Sequence, residues 1–285
     1  MNMSKKLIFL DIDGTLTSPG SNVPPESALK AIRSAREAGH KVFLCSGRNY
    51  DMLSPLLKSY DCFDGAVASS GGYVFYGDEV LYDCPMSDEQ RETAMRLLGE
   101  TGVFRTVEAR DGSYCDEGMG AFLQECSGGN SELLRWREAL EKDLGIRPMA
   151  EYDGRPIYKV VFMCREVAQL APAIEALEKD FFFLVQDMNG ADCLNGELVN
   201  RKFDKGLGIR RVCEALGYSL EDTVGFGDSM NDLEMIQTVG MSVCMANGSP
   251  KLKSMSKLVC PSVEEDGLAR GFEILGLVKT DKNDA

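Results

Sequence analysis

Short apolar runs alternate with amphipathic segments through the first third of the chain, and this alternation predicts βα units feeding a parallel sheet. Residues 7–10, Leu-Ile-Phe-Leu, form the first expected strand, apolar on both faces as a strand inside a parallel sheet must be. Pro24 and Pro25 then open a helix in which Ala28, Ile32 and Ala35 recur at helical spacing, and Gly39 stands just past its end. Lys41 to Cys45 is the second strand, followed by a helix around Asn49 to Lys58 and a strand near Ala66 to Ala68. Two β-rich runs, Tyr73 to Tyr76 and Val80 to Tyr82, meet at Gly77-Asp78 and predict a hairpin.

From about Cys84 the pattern changes. Ser87 opens a helix with Gln90 at capping-box spacing; further strands, a helix near Ser131 to Lys142, and the apolar runs Tyr158 to Cys164 and Phe181 to Val185 follow. This stretch reads as a separate α+β unit. The alternating pattern returns near Asp204: a helix ending at Gly217, a strand Thr223 to Phe226, a helix after Ser229, a strand Met241 to Ala246, and a helix around Asp266 to Ile274. The polar tail beyond is expected to fray. The fold class is therefore α/β: a Rossmann-like parallel-sheet core from residues 1–82 and 201–285, split by an inserted α+β domain over residues 83–200. At 285 residues the chain is long enough for two such bodies, each with its own core, and it carries no internal repeat or low-complexity segment.

Composition narrows the partners. The 44% hydrophobic and 27% charged content is ordinary for a globular protein, so neither disorder nor a fibrous repeat is expected. Acidic residues outnumber basic ones 45 to 31, and the resulting net charge of -14 repels phosphate backbones and anionic lipid surfaces, which argues against nucleic-acid and membrane partners. An anionic metabolite must then be captured by a local cluster of donors and a metal cation. Ten cysteines are scattered without a Cys-x-x-Cys pair, several inside apolar runs such as residues 41–45; they read as reduced, buried thiols of a cytoplasmic protein, a zinc site or disulfide framework being the lesser alternative. No run approaches membrane-spanning length, and the four apolar residues ahead of Asp11 are too few for a signal peptide.

The candidate chemistry lies at strand ends. Asp11-Ile-Asp13-Gly14-Thr15-Leu16 directly follows the first strand, at the edge where open α/β sheets place ligands. Two carboxylates so spaced let one attack while the other moves a proton; an ordinary Asp- and Gly-rich turn is the competing reading for Asp-x-Asp alone. Ser46-Gly47-Arg48 follows the second strand in the same manner, where a hydroxyl and backbone N–H groups can hold phosphate oxygens or merely cap the next helix. Lys205 begins a predicted helix and is either a solvated lysine or an ammonium placed beside phosphate. Gly225 to Asp232 follows another apolar run; Asp228 could complete a Mg²⁺ site with Asp11 and Asp13, with Asp232 one helical turn on. His40, the only histidine, stands next to Gly39 in a turn, which removes histidine phosphatases and multi-histidine metal sites. Neither a Walker loop nor a dinucleotide fingerprint is present.

Taken together, Asp11 to Leu16, Ser46 to Arg48, Lys205-Gly206 and Gly227 to Asp232 resemble the four ordered motifs of the haloacid dehalogenase superfamily. The large insertion between the second and third makes the chain most similar to the Cof-type sugar-phosphatase branch. The resemblance implies an aspartyl-phosphate intermediate on Asp11 and Asp13 as general acid/base. It implies Mg²⁺ held by Asp11, the backbone carbonyl of Asp13, and Asp228, with Asp232 near the metal. Phosphate would be held by Ser46, Gly47, Lys205 and Asn231 with Thr15 in support. The implied substrate is a small phosphorylated metabolite, a sugar phosphate or similar, acted on by a cytoplasmic monomer or weak homodimer. One departure stands out: where the branch often shows Asn-Gly after the third strand, this chain has Ser69-Ser70-Gly71-Gly72. The inserted cap is expected to choose the substrate; Arg155, Asn195 and Glu197 are polar enough to take part, but nothing in the sequence singles them out. The rival readings are a phosphomannomutase-like phosphotransferase and a non-catalytic metabolite-binding protein on the same fold. The intact set Asp11, Asp13, Lys205 and Asp228 argues against the second.

Overall fold

A computed structural model of the protein describes residues 5–19, 21–126, 146–186 and 192–278, and the chain divides into two units, residues 1–83 with 203–285, and residues 84–202. In the first unit the strands are β1 (Leu7–Leu10), β2 (Lys41–Cys45), β3 (Gly65–Ala68), β4 (Tyr73–Tyr76) and β5 (Glu79–Asp83), joined after the second unit by β12 (Thr223–Gly227), β13 (Met241–Met245) and β14 (Leu258–Cys260). Among the described residues they form one sheet in the order β14-β13-β12-β1-β2-β3-β4-β5. The run from β14 to β3 is parallel, with Leu7 beside both Thr223 and Lys41; only the β3–β4 and β4–β5 pairs are antiparallel. β1 is central and wholly buried, which accounts for its unbroken apolar run. The chain leaves β1 toward β2 on one side, and β12 lies on the other, so the ends of β1 and β12 flank a topological switch point, where such sheets bind ligands.

Helices α1 (Glu26–Glu37) and α2 (Tyr50–Tyr60) follow β1 and β2, and α1 buries Ala28, Leu29, Ile32 and Ala35 against the core. Among the described residues four more helices of this unit follow, α6 (Lys205–Leu216), α7 (Leu233–Thr238), α8 (Pro250–Met255) and α9 (Gly267–Ile274). On α6, Ile209, Val212 and Cys213 pack into a cluster with Leu7, Phe9, Phe43, Val67 and Met235. Its close approach to the sheet depends on Gly208, where a Cβ would stand 2.4 Å from Val67 Cγ1. That approach carries the first residue of the helix, Lys205, inward.

The second unit holds α3 (Asp88–Glu100), β6 (Phe104–Ala109), β7 (Gly112–Cys115), α4 (Met119–Glu125), β8 (Ile146–Pro148), β9 (Ile157–Cys164), α5 (Ala171–Leu177), β10 (Phe181–Gln186) and β11 (Leu194–Asn200). Its sheet runs β10-β11-β9-β6-β7-β8 among the described residues. Val107, Val160, Phe162 and Leu198 pack with Ala94 and Leu98 of α3 and Ala173 and Leu177 of α5. Glu197 and Arg155 are engaged inside this unit: Glu197 and Glu108 lie 3.1 and 3.4 Å from Lys159 Nζ, and Arg155 pairs with Asp153 and Asp111. Asn195 is buried on β11.

Several expectations shift in detail. The segment after Ser229 starts as a 3-10 turn, Met230–Asp232, before α7 begins, and β13 stops at Met245. His40 is more than a turn residue: it is buried, its Nδ1 accepts the Lys6 N–H at 2.9 Å, and burial, then Lys6, lowers its pKa. All ten cysteines are free thiols, nine of them buried. The helix expected near 131–142 and the tail after 278 lie outside the described residues.

Candidate active site

Asp11 is the first residue past β1, and its N–H bonds to the Phe226 carbonyl of β12 at 3.0 Å, which ties the first acidic loop to the strand that leads to Asp228. The loop then closes on itself: the N–H groups of Thr15, Leu16 and Thr17 all converge on the Ile12 carbonyl, and Gly14 N–H bonds to Thr17 O. Gly14 takes φ +89°, and a Cβ there would come within 2.5 Å of Asp228 Oδ2, so glycine is required both for the turn and for the approach of the second acidic loop. Thr15 donates its hydroxyl to Asp228 Oδ1 at 3.1 Å. Asn247, just past β13, braces the same turn by donating to Gly14 O and accepting from Val263 N–H.

Lys205 is the electrostatic hub. It is only 2% exposed, and its ammonium donates to Asp11 Oδ1 at 2.7 Å and Asp232 Oδ1 at 2.6 Å. The reading of Lys205 as an ordinary solvated lysine therefore fails. Asp232 is fully buried and its other oxygen accepts the backbone N–H groups of Asp228 and Ser229, so it orients both Lys205 and the Asp228 loop. One oxygen each of Asp11, Asp228 and Asp232 lies within 4.8 Å of the others. Such an all-carboxylate set suits a hard divalent cation. Asp11 Oδ1 and Asp228 Oδ1 are engaged by Lys205 and Thr15, which leaves the second oxygen of each without a hydrogen bond among the described residues.

Three carboxylates against one ammonium leave excess negative charge, and the ionisation equilibria register it. Burial, then the Asp232 charge, pushes Asp11 up to about 8 against the pull of Lys205, with Asp228 adding to the rise. Burial, then Asp232, raises Asp228 to about 6, opposed by the Thr15 hydrogen bond. Burial by itself would lower the Lys205 pKa, but Asp11 and Asp232 outweigh it and hold the group above its ordinary value. A divalent cation would supply the missing positive charge.

The other expected site residues are placed as follows. Asp13 turns its carboxylate to Arg48, which grips it with Nε at 3.1 Å and Nη2 at 2.8 Å while Nη1 donates to Asn22. The clustered carboxylates are thus Asp11, Asp228 and Asp232, where the resemblance implied Asp11 and Asp228 with the backbone carbonyl of Asp13. Ser46 is buried directly after β2, its Oγ accepting the Arg48 N–H at 3.2 Å, with Gly47 between them. Asn231 is exposed and accepts the Ser229 hydroxyl. Sequence reasoning missed Arg48 as the partner of Asp13, and it missed Asn247. The one available signal for Asn247 was its position just beyond a core strand, shared with Asp11, Ser46 and Asp228.

A family model of haloacid dehalogenase-like hydrolases matches residues 8–272, and the chain belongs to that family, in its Cof-type branch, as a phosphoric monoester hydrolase. It is 29% identical to YkrA of Bacillus subtilis (strain 168), over 97% of this chain and all of that one. It is 25% identical to the pyridoxal phosphate phosphatase YbhA of Escherichia coli (strain K12), over 94% and 97% of the two chains. The solved structure of the subclass IIB sugar phosphatase BT4131 of the superfamily shares the fold with TM-score 0.74 at 21% identity, covering 96% of this chain and 100% of its own. No helix among the described residues is long and apolar enough to cross a membrane.

Proposed function

We propose that the protein is a Mg²⁺-dependent phosphatase that hydrolyses a small phosphorylated metabolite, a sugar phosphate or similar, through an aspartyl phosphate on Asp11. The observation that carries this reading is the convergence of Asp11, Lys205, Asp228 and Asp232, from segments distant in sequence, on one buried carboxylate–ammonium cluster at the switch point of the sheet. The names of YbhA and BT4131 support a small phosphorylated metabolite as substrate.

In the proposed reaction Asp11 Oδ2 attacks phosphorus, since Oδ1 is held by Lys205. The bond from phosphorus to the ester oxygen breaks, and Asp13, once released from Arg48 and protonated, gives its proton to the departing alkoxide. Asp13 then takes a proton from water as that water attacks phosphorus. The Asp11–phosphorus bond breaks, and inorganic phosphate leaves. Ser46, Gly47, Lys205 and Asn231 would hold the phosphoryl oxygens, and Thr15 steadies Asp228. Mg²⁺, when bound by Asp11, Asp228 and the Asp13 carbonyl with Asp232 behind them, supplies the charge neutralisation that lets an anion approach this acidic cluster. The unit of residues 84–202 would act as the cap that selects the leaving group. The ten free thiols suit the reducing cytoplasm, and a monomer or weak homodimer suffices for a site built in one chain.

A panel of phosphorylated sugars, nucleotides and cofactors, assayed for free phosphate with Mg²⁺ and with EDTA, tests this. Turnover is expected in Mg²⁺, without any bisphosphorylated activator, and its loss in EDTA. A panel giving no phosphate at all would sink the reading, and a strict need for a bisphosphate would favour the phosphotransferase.

Stability without metal should depend on pH in a definite direction. Asp11 and Asp228 have folded pKa values raised to about 8 and about 6, above the ordinary 3.8, so the folded state holds protons that the unfolded chain has released. Their contribution favours folding at pH near 4 and is lost as pH rises through 6 and 8. Melting in EDTA should therefore fall between pH 5 and 8, by an amount Mg²⁺ restores. Melting midpoints that are flat with pH, or indifferent to Mg²⁺ at pH 8, would count against the metal cluster.

A further inference from the structure

The chain runs from β3 into β4 through Ser69, Ser70 and Gly71, at φ +49°, +56° and +100°. Two successive serines in the left-handed region are unusual: a Cβ makes that region unfavourable by roughly 1 kcal/mol or more per residue, and such strain persists where surrounding contacts over-determine it. The contacts here can be named. Ser69 N–H bonds to the Arg48 carbonyl at 2.8 Å, and Ser70 N–H to the Ser46 carbonyl at 3.0 Å, so the left-handed pair clasps both ends of the Ser46-Gly47-Arg48 loop. Ser70 Oγ lies over Gly47, where a Cβ would be 3.4 Å from it. Ser69 Oγ is buried and has no hydrogen-bond partner among the described residues, so its side chain is not what holds the turn.

The other side of the turn meets the Lys205 helix. A Cβ at Gly71 would stand 2.2 Å from the carbonyl of Asp204, the residue whose carboxylate caps α6 by accepting the Leu207 N–H. Gly208, one turn into α6, would bring a Cβ within 3.4 Å of Gly71 Cα. The turn is therefore a wedge with the Ser46 loop on one side and the Lys205 end of α6 on the other.

The geometry points to Ser69 and Ser70 as positioning residues for phosphoryl transfer, whose strained left-handed backbone sets the spacing between the Ser46 loop and the Lys205 ammonium. The inference rests on the proposed reading of Ser46 and Lys205 as groups that hold phosphate. Neither serine is itself assigned to the reaction. Their Cβ atoms narrow the backbone choices of the turn, and the two clasping hydrogen bonds select the left-handed one; glycine would adopt the same conformation without strain but also leave it readily.

The test is the set Ser69→Gly, Ser70→Gly, Ser69→Asn and Ser70→Asn, with Ser46→Ala as reference. Each is read by melting temperature, by kcat and KM on the best substrate of the panel, and by competitive inhibition with inorganic phosphate. The glycine variants should melt at or above the wild-type temperature, because strain is relieved, yet lose about 10-fold in kcat/KM and bind phosphate several-fold more weakly. The asparagine variants keep a Cβ and tolerate the left-handed region, and should recover most of the activity. Glycine variants with wild-type kinetics, or with melting temperature and activity falling together, would overturn the positioning role. If Ser46→Ala also left phosphate inhibition unchanged, the phosphate-holding reading itself would be the one to fail.

Discussion

Asp11→Asn is expected to lower phosphate release by at least about 10⁴-fold while the protein folds normally, because an amide oxygen cannot form the acyl phosphate. The substitution is close to isosteric, and an amide oxygen can still accept from Lys205, which keeps its second bond to Asp232. It also removes a buried carboxyl whose pKa the cluster pushes up to about 8, so the variant should melt no lower than wild type in EDTA at pH 8. Near-ultraviolet circular dichroism and thermal melts establish the fold, and mass spectrometry of acid-quenched wild type should find the phosphoryl adduct on Asp11. Appreciable turnover by a well-folded Asp11→Asn protein would remove Asp11 as nucleophile.

Lys205→Met should damage stability and activity together. The ammonium is the only cation bonded to Asp11 and Asp232 among the described residues, and all three side chains are buried. Removing one partner of a buried ion pair leaves uncompensated charge, which typically costs about 3–5 kcal/mol, far more than the pair contributes over an apolar replacement. The sign of the pH dependence follows from the same logic. Without Lys205 the Asp11 carboxyl loses the charge that opposes its raised pKa, so the penalty is largest at pH 8 and shrinks toward pH 5 as Asp11 takes up a proton. Urea unfolding at the two pH values measures it, and Mg²⁺ should recover part of the loss at pH 8. A variant as stable as wild type at pH 8 would show that the ammonium does not hold this cluster together.

Much of the core was legible because its signals are local. Buried parallel strands show as unbroken apolar runs, as in residues 7–10 and 42–45, and the polar residue next in line must then lie at a strand end. Caps were equally direct: Ser87 with Gln90 forms a capping box, and Gly217 ends α6 in the left-handed region. The start of α7 was less clear because Asp232 is recruited to bind Lys205 and two backbone N–H groups, which leaves a 3-10 turn where a plain helix start was expected.

The pairings inside the site were not legible. That Arg48 grips Asp13, that Asn247 braces Gly14, and that Asp232 sits beside Asp11 depend on the ends of β1, β2, β12 and β13 lying side by side in the sheet. The left-handed backbone of Ser69 and Ser70 was hidden for a related reason, since serine has no preference for that region and only its contacts to the Ser46 loop impose it.

From the sequence alone came the strand ends, the acidic and phosphate-holding residue types placed on them, and the insertion that divides the core. Only the tertiary structure decided which carboxylates share one buried ammonium and which one an arginine holds apart. Spacing along a chain reports each residue's own backbone conformation, whereas charge pairing depends on strand order, which arises from contacts between residues far apart in sequence.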